Sequence, residues 1–182
     1  MDLDLMDLYA RGSSWTLIKV RGAASQLDAP TTCEGWDVRT LMNHMLLIQR
    51  TFTGVARGEE FALSLDVDPP DVLSSDPISD FEHARAETLR TFGEPGVVER
   101  TGTVLGNLFG DQLIHGWDLA VSTRQDAVMP EGLADAAYAL AYGNFTEESR
   151  QGVLQPEIVV AADASAQEKL LAYAGRDPSL GA

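Results

Sequence analysis

Asp111 and His115 stand four residues apart in a stretch, residues 105–123, whose apolar residues recur at helical spacing. On a helix, residues i and i+4 lie on one face, so both side chains can reach a single ion. His44 lies in a second stretch with a helical pattern, residues 38–52. Two imidazoles and one carboxylate from two packed helices would form a three-ligand metal site with open positions, as in catalytic sites. The alternative is a core histidine, His115, with Asp111 as its surface neighbour.

This ligand set suits a divalent ion, with zinc, nickel and iron(II) all compatible with it. Such an ion lowers the pKa of bound water or deprotonates a coordinating thiol. The zinc-protease motif H-E-x-x-H is absent, since Ile48 stands four residues after His44. Neither a Gly-rich phosphate loop nor a G-x-S-x-G motif is present. The composition of the site therefore favours metal chemistry over nucleophilic serine or nucleotide chemistry.

Asp118 follows His115 by three residues and lies on the same helical face as Asp111. Its carboxylate could orient a ligand histidine from behind or take a proton from a substrate, which makes it the candidate catalytic residue. The competing interpretation is an exposed aspartate on the surface of the helix. Trp117 points away from this face and is expected in the core.

Composition limits the class of protein. The 182 residues include 28 acidic and 13 basic side chains, for a formal charge of −15, which disfavours nucleic-acid and membrane-surface partners. The length predicts one domain, residues 1–182. A single cysteine, Cys33, excludes an internal disulfide and, with an acidic N-terminus, favours the cytoplasm. The simplest role for Cys33 is that of a small buried apolar side chain.

Apolar periodicity predicts helices over most of the chain. The first covers about residues 3–27, and the second begins after the N-cap Asp37 and runs to about Arg57. Further helices are expected to open with the capping box Ser79–Glu82, with Pro130, and with the capping box Ser165–Glu168. The pattern indicates an all-α, up-and-down helical bundle.

Three connecting stretches are less regular. Residues 96–103 are expected to be a short extended segment before the central helix, and residues 156–160 a short strand. The connection over residues 58–78 contains three prolines, which exclude a continuous helix. A connection of this length either covers a site or crosses the bundle as a disordered segment.

Three segments resemble a known family. Thr31–Met45 (TTCEGWDVRTLMNHM) and Asp111–Ala120 (DQLIHGWDLA) are similar to the mycothiol-dependent maleylpyruvate isomerase branch of the DinB-like superfamily. Leu170–Pro178 (LLAYAGRDP) resembles the C-terminal signature of its small, single-domain, actinobacterial-type members. The resemblance implies a DinB-like four-helix bundle with a long crossover loop and a short C-terminal strand and helix extension.

The resemblance also implies a ligand set and a chemistry. The family's metal ligands match His44, Asp111 and His115, although the isomerase has a glutamate where this chain has Asp111. The implied function is a metal-dependent transferase or isomerase that uses mycothiol as cosubstrate on a small electrophile. A non-catalytic metal-binding accessory or stress protein and a hydrolase using metal-bound water remain alternatives. Zinc is the favoured metal, and the apolar bundle faces are compatible with a homodimer.

Overall fold

The computed structural model describes residues 4–61, 68–142 and 154–181. These residues form six α-helices and one 3₁₀ helix, and they contain no β-strand. The α-helices are α1 (Leu5–Ala23), α2 (Val38–Ala56), α3 (Pro77–Phe92), α4 (Val97–Ser122), α5 (Leu133–Ala141) and α6 (Ala166–Tyr173); the 3₁₀ helix spans Pro178–Gly181. The all-α expectation is confirmed. No described helix has the length and apolar character that a membrane crossing requires.

Helices α1 to α4 form the bundle. Helix α1 packs against α3 and α4, and α2 packs against the same two helices, so that α1 and α2 lie at opposite corners. The core between them is apolar and includes Tyr9, Met45, Phe109 and Trp117, all with negligible exposure. Trp117 is therefore a core residue, as its position on the helical pattern predicts. Helix α5 packs on α4, and α6 packs on α5.

The contact between α1 and α4 requires glycine. A Cβ atom on Gly116 would lie 2.7 Å from Cζ3 of Trp15 and 2.9 Å from Oγ1 of Thr16. Thr16 also donates a hydrogen bond across the interface to the backbone carbonyl of Gln112, at 2.8 Å. Because Gly116 follows His115 directly, this close approach fixes the part of α4 that carries the candidate ligand.

Two helix starts agree with the capping residues in the sequence. Asp37 accepts a hydrogen bond from the Thr40 amide, so α2 begins at the predicted residue. Ser165 and Glu168 form the reciprocal capping box of α6. These short side-chain contacts satisfy amide groups that have no partner within their own helix.

The end of α2 at Ala56 agrees with the expectation, whereas α1 ends at Ala23, short of the predicted end at about residue 27. Two predicted helix starts also need correction. Helix α3 begins at Pro77 rather than at the Ser79–Glu82 box, because Asp76 caps it and proline suits its first turn. Helix α5 begins after Gly132, whose positive φ of 80° sets the turn, rather than at Pro130.

Two extended segments were predicted wrongly. Residues 97–103 belong to α4, with one irregular residue, Thr101, at φ −130°. Residues 156–160 are not a strand. Within this segment the Ile158 amide donates to the Ala172 carbonyl, so the segment pairs with the end of α6 and not with another strand.

Candidate metal site

Helices α2 and α4 bring the three predicted ligands together. Nε2 of His44 lies 3.7 Å from Oδ1 of Asp111, and Nε2 of His115 lies 3.5 Å from the same oxygen. The two imidazole rings meet edge to face with centroids 4.9 Å apart. One donor atom from each of the three residues lies within 4.8 Å of the others. The i, i+4 spacing on α4 and the packing of α2 against it thus converge on one point.

The cluster is largely shielded from solvent. The side chains of His44 and Asp111 are each 19% exposed, and that of His115 is 11% exposed. Oδ2 of Asp111 is buried and has no hydrogen-bond partner among the residues that the structure describes. Burial by itself would raise the pKa of Asp111, but the nearby imidazoles and, further away, Arg176 hold that pKa below its usual value. The site therefore contains a buried acceptor, charged at neutral pH, with one oxygen unused.

Asp118 lies behind His115. Its Oδ2 atom is 2.9 Å from Nδ1 of His115, and its side chain is 0% exposed. The interpretation of Asp118 as an exposed helical aspartate is wrong. With Nδ1–H donating to Asp118, the lone pair of His115 is at Nε2, on the side of Asp111. This is the arrangement in which a carboxylate orients a metal-binding histidine.

Arg176 holds Asp118 in place from the C-terminal part of the chain. Its Nη2 donates to Oδ2 of Asp118 at 3.0 Å, and its Nε donates to Oδ1 at 3.3 Å. Oδ1 also accepts from the hydroxyl of Thr32 at 2.6 Å. Burial opposes ionisation of Asp118, but Arg176 and His115 keep its pKa far below the usual value. Asp118 is thus a fully partnered carboxylate.

Arg176 and Thr32 were not predicted as site residues. Arg176 is 58 residues from Asp118 in the chain, so no helical spacing relates the two. The signal for Thr32 was the segment Thr31–Met45 of the family resemblance. The signal for Arg176 was the C-terminal segment LLAYAGRDP, in which Gly175 adopts a positive φ of 77° after α6. A Cβ at Gly175 would lie 2.5 Å from Gln155, so this turn needs glycine.

Cys33 lies at the edge of the same group. Its thiol donates to Oδ2 of Asp118 at 3.5 Å, and Nη2 of Arg176 donates to its sulfur at 3.5 Å. Burial, followed by the charge of Asp118, raises the pKa of Cys33 to about 12. Cys33 is therefore more than an apolar filler, but it is a thiol and not a thiolate at neutral pH.

Comparison with known proteins identifies a family. The sequence profile of the mycothiol maleylpyruvate isomerase N-terminal domain matches residues 17–120. The chain belongs to this family. Searches of curated proteins and of solved structures gave no significant match.

The match makes this chain a member of a mycothiol-related, DinB-like, metal-binding family. The matched range contains His44, Asp111, His115 and Asp118, whereas Arg176 lies beyond it. The family resemblance expected from the sequence is confirmed. The geometry separately brings donor atoms of His44, Asp111 and His115 within 4.8 Å of one another.

The third histidine lies elsewhere. His83 is exposed on α3, where Nδ1 lies 2.7 Å from the Ser79 carbonyl oxygen of its own helix. Within the described residues, no hydrogen bond, ion pair or ring contact joins it to the cluster on α2 and α4. His83 is thus a natural control for experiments on His44 and His115.

Proposed function

We propose that this member of the mycothiol maleylpyruvate isomerase N-terminal domain family is a metal-dependent enzyme that uses a low-molecular-weight thiol, mycothiol, on a small electrophilic substrate. The observation that carries the proposal is the convergence of His44, Asp111 and His115, with donor atoms within 4.8 Å of one another. The family match supports the choice of thiol.

The residues fit a divalent cation. Two imidazole nitrogens and a carboxylate are the donor types of three-ligand catalytic sites. Within the described part of the chain, Oδ2 of Asp111 is also a buried acceptor without a partner. Zinc is our first choice, and nickel and iron are alternatives with the same donor preference. When bound, the cation would lower the pKa of a coordinating thiol, so that the reactive thiolate exists at neutral pH.

The residues around the ligands position them. Asp118 accepts a hydrogen bond from Nδ1–H of His115 and keeps Nε2 directed toward Asp111. Arg176 and Thr32 donate to Asp118 and keep it ionised and fixed. Since Asp118 is 0% exposed and both of its oxygens accept hydrogen bonds, we assign it a positioning role instead of direct proton transfer with substrate.

The nucleophile comes from the cosubstrate. The chain's own thiol, Cys33, has a pKa of about 12 and is engaged with Asp118 and Arg176. In the proposed reaction the cosubstrate sulfur forms a bond to an electrophilic carbon of the substrate. In a transfer, the leaving group departs with the electron pair of the broken bond. In an isomerisation, the sulfur adds to one carbon of a double bond, and the π electron pair moves to the substrate's electron-withdrawing group. After rotation about the resulting single bond, that pair re-forms the double bond, and the carbon–sulfur bond breaks with its electrons returning to sulfur, which releases the thiol cosubstrate.

The test is turnover of a panel of small electrophiles by metal-loaded protein, with and without mycothiol. The proposal predicts turnover that requires both the metal and the thiol. Turnover that persists without any thiol would support hydrolysis by metal-bound water instead. Metal binding without turnover of any electrophile would support an accessory metal-binding protein.

A further inference from the structure

The connection between α2 and α3 is hydrogen-bonded to Asn43, the residue that precedes His44 in the sequence. We call residues 68–73 of this connection the strap. Oδ1 of Asn43 accepts hydrogen bonds from the strap amides of Val72 and Leu73 at 2.7 and 3.0 Å. Nδ2 of Asn43 donates to Oδ1 of Asp71 at 3.1 Å. Asn43 is only 3% exposed, so these hydrogen bonds form a protected clasp on the strap.

A second tie joins the strap to the aromatic residue that covers His44. The ring of Trp36 packs against the His44 imidazole, with centroids 5.1 Å apart and an interplanar angle of 48°. Nε1 of Trp36 donates to Oδ1 of Asp68 at 3.0 Å. The indole is thus held on one side by His44 and on the other by the first residue of the strap.

Apolar packing supports the same placement. Val72 and Leu73 are partly buried against the core cluster that contains Leu41 and Met42 of α2, and Trp36 packs on this cluster as well. Two prolines, Pro69 and Pro70, lie between the two ties and limit the conformations of the strap. The strap is therefore held by the hydrogen bonds of Asn43 and by the hydrogen bond from Trp36 to Asp68. The apolar contacts of Val72 and Leu73 with the core hold it as well.

We propose that the strap holds Trp36 as a fixed wall over His44, and that it thereby determines which molecules reach the His44–Asp111–His115 cluster. The proposal assigns Trp36, Asn43 and Asp68 a role in access and specificity at the site. The consequence of this role, the selection of small substrates, rests on the proposed function. The contacts that hold the strap exist in the metal-free chain, so their effect on access to His44 can be measured without any substrate.

Exchanging the hydrogen-bond donor and acceptor between positions 43 and 71 tests the clasp. In the N43D variant, the introduced carboxylate still accepts from Val72 and Leu73 but faces the carboxylate of Asp71. In the N43D/D71N double variant, the direction of that hydrogen bond is reversed and the contact is restored. D71N alone keeps an acceptor oxygen for Asn43, so it controls for loss of the exposed Arg39–Asp71 pair, which is 3.8 Å long.

A separate variant tests the hydrogen bond from Trp36 to Asp68. W36F keeps an aromatic ring against His44 but removes the indole N–H that donates to Asp68. It leaves the Asn43 clasp unchanged. W36F therefore remains informative if N43D reduces folding, and its folding can be checked by helix content and thermal melting.

The measurement is the rate at which diethyl pyrocarbonate modifies His44 in metal-free protein, followed by peptide mass spectrometry, with the exposed His83 as internal reference. If modification occurs from an open state of the strap, its rate follows the population of that state. We expect His44 of W36F to be modified about fivefold faster than in the parent, because one hydrogen bond is lost. In N43D we expect modification about tenfold faster, because the two carboxylates repel each other. D71N and N43D/D71N are expected to match the parent.

Equal His44 rates in the parent, W36F and N43D, with unchanged His83, would overturn the proposal and leave the strap as a cover of the apolar core. The clasp would also be contradicted if His44 were modified faster in N43D than in the parent and equally fast in the N43D/D71N double variant. Neither result depends on bound metal or on thiol turnover. A failure of the strap proposal is therefore distinguishable from a failure of the proposed function.

Discussion

His115 is held between two aspartates, with Oδ2 of Asp118 2.9 Å from its Nδ1 and Oδ1 of Asp111 3.5 Å from its Nε2. The Asp118 contact is a hydrogen bond that fixes the tautomer, and it directs the Nε2 lone pair toward Asp111 and His44. The Arg176 guanidinium balances the charge of Asp118. The orientation of His115 thus depends on a buried pair that has no direct contact with the other candidate ligands.

Asp118→Asn tests this dependence. The change removes the charge that faces Arg176 while preserving the shape of the side chain. We expect zinc affinity to fall by about 10- to 100-fold, because the orienting carboxylate is lost. The stability of the metal-free protein should fall by about 3 kcal/mol, because a buried guanidinium loses the negative charge that it faces. Competition with a chelator and urea unfolding measure the two effects.

The control for this substitution is Asp135→Asn, at an exposed position in the first turn of α5. It makes the same chemical change away from the cluster and should leave zinc affinity at the parent value. Parent-like zinc affinity in Asp118→Asn would show that Asp118 does not orient His115 for metal binding.

Cys33 should react slowly with alkylating agents. A pKa raised to about 12 leaves almost no thiolate at pH 8. We expect iodoacetamide to modify Cys33 in the folded protein at least about tenfold more slowly than in urea, with a rate that rises about tenfold per pH unit while the thiol stays protonated. Mass spectrometry at several pH values provides the rates. Rapid modification at pH 7 would contradict the protonated state.

Cys33→Ser should preserve function, since the hydroxyl can still donate to Asp118. Under the proposed function, mycothiol supplies the sulfur, so thiol-dependent turnover should stay near the parent rate. Complete loss of turnover in a folded Cys33→Ser protein would instead assign the nucleophile to the chain itself.

Gly116→Ala and Gly110→Ala form a matched pair on α4. A Cβ at Gly116 would lie 2.7 Å from the Trp15 ring, whereas a Cβ at Gly110 has no neighbour within 4 Å. We expect Gly116→Ala to cost about 1–3 kcal/mol by overpacking the contact between α1 and α4. Gly110→Ala should gain up to about 1 kcal/mol, because alanine is the better helix former. Thermal and urea unfolding compare them, and equal stabilities would contradict the assigned helix contact.

The sequence predicted those parts of the structure that depend on short-range patterns. Asp37 marked the start of α2, and the spacing of Asp111 and His115 was compatible with one face of α4. The capping box at Ser165 predicted α6 for the same reason, since cap and amide are separated by three residues. In each case the interaction lies within one turn of a helix.

Contacts between distant residues could not be predicted from pattern. Arg176 reaches Asp118 only because α6 packs on α5 and α5 on α4. The capping-box pattern also missed the start of α3, where Asp76 and Pro77 supply a stronger signal than the S-x-x-E box that begins at Ser79. The strap could not be foreseen either, because two partners of Asn43 are backbone amides with no sequence signature, and the third, Asp71, is 28 residues away in the chain.

Metal content, measured by elemental analysis of protein purified without an affinity tag, tests the central claim most directly. The comparison includes His44→Ala, Asp111→Asn and His83→Ala, the last as a histidine control on α3. Convergence of three ligands on one cation predicts near-stoichiometric metal in the parent and in His83→Ala, and almost none in the other two. Absence of metal in the parent after incubation with zinc, or equal content in all four proteins, would contradict the account.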